Sequence, residues 1–319
     1  MKPFFYYEGV RKLASILKGN ERIYLGIRPY GFHAGNAATM VAYPILLCRK
    51  LEKLGKTPKF TFYVFLNDWE QDSLDGPNPK LYPFNILPKF TTWQYMKDPI
   101  DCNRSIVDYW ETIIVNNVKI ISHYFPEVKI VSQKNSQMKN KPEMRRCILK
   151  TIENPNIMFN ILRENTDKKV LDLPIIFSSA VCPLCHAARG KTEVVNKRTI
   201  VHECSICGKK SSGKYKDFDY WLYHKPLALP RIEAFDVDLC ITGSTHYEEG
   251  DFVVRKKLFK AYGIDKPLPM ILYTQSILGT DGNIMGKSKG NAKLIDLDKL
   301  LNLITTNKRK GRIVIPSKI

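Results

Sequence analysis

The chain has 319 residues, with 50 Lys and Arg against 31 Asp and Glu, and a formal net charge of +19. A hydrophobic share of 44% and a charged share of 25% exclude a mainly disordered chain, and the length is ample for a buried core. The basic excess points to a polyanionic partner such as RNA, DNA, a nucleotide or an acidic membrane surface. In chain order, Val10, Leu13, Ile16 and Leu17 recur at helical spacing over 8–18, closed by Gly19 and Asn20. Residues 22–27 read as a buried strand, 28–36 as a turn rich in Gly and Pro, 37–54 as an apolar helix and 59–66 as a second strand. Strand, turn, helix, strand is a βαβ unit, which predicts a parallel α/β sheet. A proline-punctuated loop over 76–90 precedes helical patterns at 102–125 and 141–165 and an apolar strand at 170–178. A patch rich in Cys, Gly and Lys fills 181–212. Then come a strand at 235–242, a helix at 253–262, a strand at 270–274 and a short basic tail.

No run approaches the ~18 to 20 apolar residues of a membrane span. The start, Met1 to Glu8, lacks the apolar stretch and cleavage site of a signal peptide. A cytoplasmic address is therefore expected, where eight cysteines are not a disulfide framework. Four of them form Cys182-x2-Cys185 and Cys204-x2-Cys207, separated by 18 residues. Two tight pairs supply four thiolates to a tetrahedral Zn2+, in a closed set that serves structure and not catalysis.

Two further motifs handle phosphate. Gly31, His33, Gly35 and Asn36 lie on the first strand-to-helix turn, where glycines admit a nucleotide and the helix N-terminus favours negative charge. His33 and Asn36 are placed to donate hydrogen bonds to a phosphate. The second motif, Met285-Gly286-Lys287-Ser288-Lys289-Gly290-Asn291, sets two lysines in a Gly-rich loop suited to clamp pyrophosphate. It does not fit the Walker pattern.

As a pair, these motifs resemble the "HIGH" and "KMSKS" signatures of class I aminoacyl-tRNA synthetases. The order of zinc knuckle, Trp221 to Lys225, Phe235 to Asp238, Thr242 to His246 and lysine loop resembles the catalytic domain of archaeal-type class I lysyl-tRNA synthetase, as do Gly26 to Pro29 and Asn67 to Glu70. The resemblance covers roughly residues 8–292. It implies a Rossmann-type α/β fold and ATP-dependent amino-acid activation, yielding an aminoacyl adenylate and magnesium pyrophosphate. It makes His33, Asn36, Lys287 and Lys289 the catalytic set. It places Gly26, Gly31, Gly35, Thr242, His246, Met285 and Ser288 at ATP, Asp68 and Thr39 at the amino acid, and ATP, Mg2+ and Zn2+ as cofactors. The implied organisation is a first catalytic half over 1–95, a helical insertion over 96–178 and a zinc knuckle over 179–213. A second catalytic half over 214–295 and a basic tail over 296–319 complete it.

The likeness has departures. Ile284 and Gly286 stand where the lysine-loop signature has Lys and Ser, and Ala37-Ala38-Thr39 where lysine enzymes tend to carry an Arg-Glu pair. Only 28 residues follow Asn291, too few for the family's helical anticodon-binding domain. The expectation is a freestanding enzyme that transfers its amino acid to tRNA or to a small-molecule, peptide or carrier-protein acceptor. The alternatives are an inactive paralogue serving as an RNA-binding module, and another kind of nucleotidyltransferase.

Overall fold

In a computed structural model of the chain, the residues described are 4–29, 31–70, 90–98, 100–166, 176–196, 198–279, 281–285, 295–306 and 312–314. Strand β1 (Phe4–Tyr6) leads to helix α1 (Val10–Ile16), which buries Val10, Leu13 and Ala14. In β2 (Arg22–Ile27) the alternation of side chains sends Ile23, Leu25 and Ile27 into one core and Tyr24 towards another. Helix α2 (Ala34–Ala37) runs through a π-helical turn, Ala38–Ala42, into α3 (Tyr43–Glu52). The apolar helix therefore begins earlier than its hydrophobic pattern, at the cap supplied by His33. Strand β3 (Thr61–Leu66) pairs with β2 in parallel from Arg22↔Thr61 to Ile27↔Leu66.

Helix α4 (Ile106–Tyr124) starts at a capping box in which Ser105 and Asp108 bond each other's backbone N–H. It returns the chain to β4 (Lys129–Lys134), which pairs with β3. The stretch 96–178, which reads as helical in sequence, thus also donates an edge strand to the main sheet. A short α5 (Asn135–Met138) precedes α6 (Pro142–Glu153) and α7 (Pro155–Asn165). The single helical pattern over 141–165 becomes two helices because Pro155 restricts the residue before it. Asn154 sits at φ −133°, ψ 60°, outside helical space.

Of the strand expected over 170–178, residues 170–175 lie outside the described residues, and the observed β5 (Ser178–Ala180) begins only at its last position. Strands β6 (Gly190–Val195), β7 (Thr199–Cys204) and β8 (Lys210–Lys214) form a small antiparallel sheet beside the cysteines, and β9 (Tyr220–Leu222) pairs back on β5. Helix α8 (His224–Ala234) closes through Asp236 at φ +46°, with the Val237 N–H donating to the Ile232 carbonyl at 3.1 Å. The apolar residues Phe235 and Val237 therefore belong to a helix closure, and β10 (Leu239–Gly243) begins after them. The remaining elements are α9 (Thr245–Glu248), α10 (Asp251–Tyr262), β11 (Met270–Thr274), β12 (Ser276–Leu278), α11 (Leu297–Thr306) and β13 (Arg312–Val314).

The main sheet has the order β1-β11-β10-β2-β3-β4, all parallel. One face buries Leu13, Leu47, Ile114 and Leu300, from α1, α3, α4 and α11. The other buries Ile148, Met158, Leu227 and Leu258, from α6, α7, α8 and α10. Helices on both faces of a parallel sheet make a Rossmann-type α/β fold.

Pairing within the sheet opens the site. Strand β10 holds β11 to its last residue, Gly243↔Thr274, and β2 holds β3 to Ile27↔Leu66. Yet β10 and β2 pair only at Leu239↔Ile23 and Cys240↔Tyr24. The two halves of the sheet separate at their carboxyl ends, at the point where the strand order reverses. Open α/β sheets bind ligands in that crevice.

Candidate active-site cleft

A cavity of about 910 Å³ occupies the separation between β2 and β10. Its near end is the turn after β2. His33 has extended backbone (φ −119°, ψ 175°) and caps α2, its Nδ1 accepting the Gly35 N–H at 3.0 Å. Asn36 Oδ1 accepts the His33 N–H at 3.2 Å. With Nδ1 an acceptor, the neutral ring carries its proton on Nε2, and with Oδ1 engaged, Asn36 presents its amide as a donor. Both residues line the cavity at the start of a continuous helical run, where donors and helix dipole favour an anion. A Cβ at Gly35 would stand 2.9 Å from His33 Cε1, so the capping ring would have to shift to admit it. Gly35, Gly26 and Thr39 line the cavity, whereas Gly31 shapes the turn without being among the lining residues.

The π-helical turn ties this motif to the end of β11. Thr39 Oγ1 lies 2.9 Å from Thr274 Oγ1, and the Tyr43 hydroxyl donates to Gln275 Oε1 at 2.9 Å. Thr242 and Gly243 at the end of β10, His246 of α9 and Met285 complete this wall. Burial holds the His246 pKa below its ordinary value, against the opposing pull of Asp251. The Met285 N–H donates to the Ile277 carbonyl at 2.8 Å, which brings the chain to the cleft just before the lysine loop. Lys287, Ser288 and Lys289 themselves lie outside the described residues.

The far end, on the opposite face of the sheet, combines Arg28, Asn67, Glu70 and Lys225, from stretches that carry the family resemblance, with Tyr24, Asn135, Arg231, Asp251 and Arg255, which the sequence motifs did not single out. Arg231 of α8 is buried (3% exposed) and donates to Asn135 Oδ1 from Nε at 2.9 Å, to Asn67 Oδ1 at 3.1 Å and to the Tyr24 hydroxyl at 2.8 Å. Glu70 accepts from Arg28 at 2.5 Å and from the Asn67 amide at 2.6 Å. Asp251 pairs with Lys225 at 3.1 Å and with Arg255 at 2.5 Å. Burial works to raise the Asp251 pKa, but Arg255 and Lys225 outweigh it and hold the carboxyl well below the usual range. No local signal announces these partners, because they meet only through tertiary packing.

Asp68, expected at the amino acid, faces elsewhere. It is 1% exposed, is not among the cavity-lining residues, and accepts N–H bonds from Asn135 at 2.8 Å and from Ser136 at 3.3 Å. It caps α5. Burial pushes its pKa up to about 6, opposed by those hydrogen bonds and by the charge of Arg231.

The four cysteines converge away from the cleft. Their sulfurs all lie within 4.8 Å of one another, with Cys182–Cys207 and Cys185–Cys204 each at 3.6 Å. A tetrahedral zinc with Zn–S bonds near 2.3 Å holds its sulfurs about 3.8 Å apart, so this donor set fits the ion. Each pair comes from a tight turn: the His186 N–H bonds the Cys182 carbonyl, and the Gly208 N–H that of Cys204, both at 2.9 Å.

A parallel sheet split at its switch point, with helices on both faces, defines an α/β protein of the Rossmann type. The chain matches, over residues 11–308, the family described as tRNA synthetases class I (K), and it belongs to that family. No curated protein matches it. Among solved structures it is similar to the tyrosyl-tRNA synthetase of Leishmania major in complex with tyrosinol (12% identity, TM-score 0.41, 90% of this chain and 34% of that one). It is also similar to a glutamate tRNA ligase of Elizabethkingia meningosepticum (11%, 0.36, 92% and 67%). A third is the methionyl-tRNA synthetase of Mycobacterium tuberculosis bound by methionyl-adenylate (10%, 0.38, 93% and 66%). The chain spans about a third of the length of the Leishmania enzyme. No helix among the described residues is long and apolar enough to cross a membrane.

Proposed function

We propose that the chain activates an amino acid with ATP, forming an aminoacyl adenylate and releasing pyrophosphate. The observation that carries this reading is the near end of the cleft. His33 and Asn36 both line the cavity, and their capping bonds engage Nδ1 and Oδ1, which assigns the ring Nε2–H and the amide as the donors to an α-phosphate. An amino-acid carboxylate attacks the α-phosphorus, the α–β bridging oxygen leaves with pyrophosphate, and negative charge grows on the non-bridging oxygens. Fixed donors aimed at that charge lower the barrier without a protein nucleophile. ATP enters as its Mg2+ complex. Lys287 and Lys289, following Met285, are assigned to the leaving pyrophosphate. Thr242 of β10 and His246 of α9 are assigned to the nucleoside, and the Tyr24–Arg231 end to the amino acid.

The zinc knuckle, held by Cys182, Cys185, Cys204 and Cys207, stiffens the insertion between the halves of the sheet and takes no part in the chemistry. Eight cysteines without a disulfide, four of them outside the knuckle, fit a reducing cytoplasm. The acceptor is tRNA or a smaller nucleophile, with the excess of 50 basic over 31 acidic residues favouring RNA. Amino-acid-dependent exchange of labelled pyrophosphate into ATP tests the activation step. Exchange with a defined amino acid is the expected result, and silence across all protein and common non-protein amino acids refutes it.

A further inference from the structure

We infer that Gln275 reads the base of the nucleotide, its side-chain Nε2–H donating to a ring nitrogen of adenine. This deepens, and rests on, the assignment of the cleft to ATP-dependent activation. Gln275 directly follows Thr274, the last residue of β11, which pairs with Gly243 at the end of β10. It is 3% exposed and lines the cavity. Tyr43, the first residue of α3 after the π-helical turn, holds it by two hydrogen bonds. The Gln275 backbone N–H donates to the Tyr43 hydroxyl at 3.3 Å, and that hydroxyl donates to Gln275 Oε1 at 2.9 Å. A hydroxyl carries one proton, and accepting the backbone N–H leaves that proton for Oε1. The amide is thereby oriented. Its oxygen is taken, and its Nε2 is buried with no hydrogen-bond partner among the described residues.

A buried donor without an acceptor is costly, and folded proteins leave few of them. On a residue that lines a cleft, such a donor is available to a ligand, and its surroundings select the ligand's chemistry. Met40, Ile277 and Met285 also line the cavity and belong to the same buried core as Tyr43. Against these side chains a phosphate or carboxylate would lose its water, whereas a flat ring with acceptors on its edge fits an apolar wall carrying one polar group. The charged groups around Arg231 pack with the core on the other face of the sheet, and the phosphate is assigned to His33 and Asn36. Thr242, assigned to the nucleoside, precedes the Gly243 that pairs with Thr274, so the base and its sugar meet the ends of adjacent strands. The exocyclic amine of adenine is a donor and does not match an Nε2–H. The ring nitrogens N1, N3 and N7 are acceptors and do. A neutral amide held by a tyrosine meets one of them without bringing a charge into the wall.

The experiment is pyrophosphate exchange on the full chain, with the amino acid that supports it, comparing ATP with 1-deaza-, 3-deaza- and 7-deaza-ATP. Each analogue replaces one acceptor nitrogen by C–H. In the unaltered chain one of them should lose about tenfold in kcat/KM relative to ATP, the scale of one hydrogen bond with its buried donor left unmade. Gln275→Met, similar in volume and without the donor, should lower kcat/KM for ATP by a similar factor and cost that analogue nothing further. The other two analogues should lose the same factor in both proteins, and the amino-acid KM should hold. Tyr43→Phe releases Oε1 and lets the amide turn, so it should weaken this coupling without abolishing it, and it serves if the first variant fails to fold. If every analogue loses the same factor in Gln275→Met as in the unaltered chain, the inference is overturned while activation stands. If no amino acid supports exchange, activation itself is refuted, and calorimetric titration of both proteins with ATP and the three analogues decides the rest. Coupling between Gln275 and one ring nitrogen then sustains the assignment, and additive losses or no binding of ATP remove it.

Discussion

Replacing Asp68 by asparagine separates a cap from a substrate ligand. The carboxylate is 1% exposed and accepts two backbone N–H groups at the start of α5, yet burial lifts its pKa from 3.8 to about 6. An acid whose pKa is higher in the folded than in the unfolded chain binds its proton more tightly when folded. Stability is therefore greater below pH 4 and falls as pH rises from about 4 through 6. A rise of that size corresponds to roughly 3 kcal/mol. The amide introduced by Asp68→Asn resembles the protonated acid: it accepts through its oxygen and carries no charge to bury. Urea unfolding of both proteins at several pH values should show near-equal stability below pH 4. At pH 7 the variant should be the more stable, by up to about 3 kcal/mol, with the amino-acid KM nearly unchanged. Parallel pH profiles for the two proteins would refute the burial argument. A KM raised tenfold or more at unaltered stability would return Asp68 to the substrate.

Other expectations concern the cleft and the knuckle. His33→Ala removes both the cap of α2 and the proposed phosphate donor, so kcat/KM for exchange should fall about 100-fold, the scale for losing one transition-state donor; an unchanged rate would take His33 out of the chemistry. In Gly26→Ala the new Cβ would stand 2.8 Å from the Tyr24 hydroxyl oxygen and displace the ring that bonds Arg231. The amino-acid KM should rise about tenfold as one hydrogen bond to a charged group is lost, with the ATP KM steady; the reverse pattern would put Gly26 at the adenosine. Metal analysis of the purified chain should find one zinc, lost in Cys204→Ser together with protection of the β6–β8 amides from hydrogen exchange. A metal-free protein with that protection intact would contradict the assignment.

Much of the architecture is readable from local pattern. The alternation of Ile23, Leu25 and Ile27 about a half-buried Tyr24 marks a strand whose one face is core, and the strand over 270–274 is found at the same residues. Two Cys-x2-Cys pairs announce a four-thiolate cluster whatever sheet carries them, because each turn brings its own pair together. His33 and Asn36 likewise act within four residues of each other, so their capping box is present in the local sequence. Local pattern misleads where two structures share one periodicity. Phe235 and Val237 alternate like a strand but close a helix, and 141–165 is periodic across a proline break.

What sequence alone determined, then, is the first βαβ unit of the sheet, the capped turn at His33 and Asn36 and the four-cysteine cluster, all built from neighbours in the chain. Tertiary structure decided the far end of the cleft. Arg231 meets Tyr24 across 207 positions and Asn135 across 96, and Thr39 meets Thr274 across 235. Whether a buried charge is paired depends on which distant groups surround it, and no spacing rule encodes that. Asp68 spends its oxygens on a helix start, Asp251 is shared by two cations, and Arg231 bonds two amide oxygens and a hydroxyl because of how β2, β3, α8 and α10 pack.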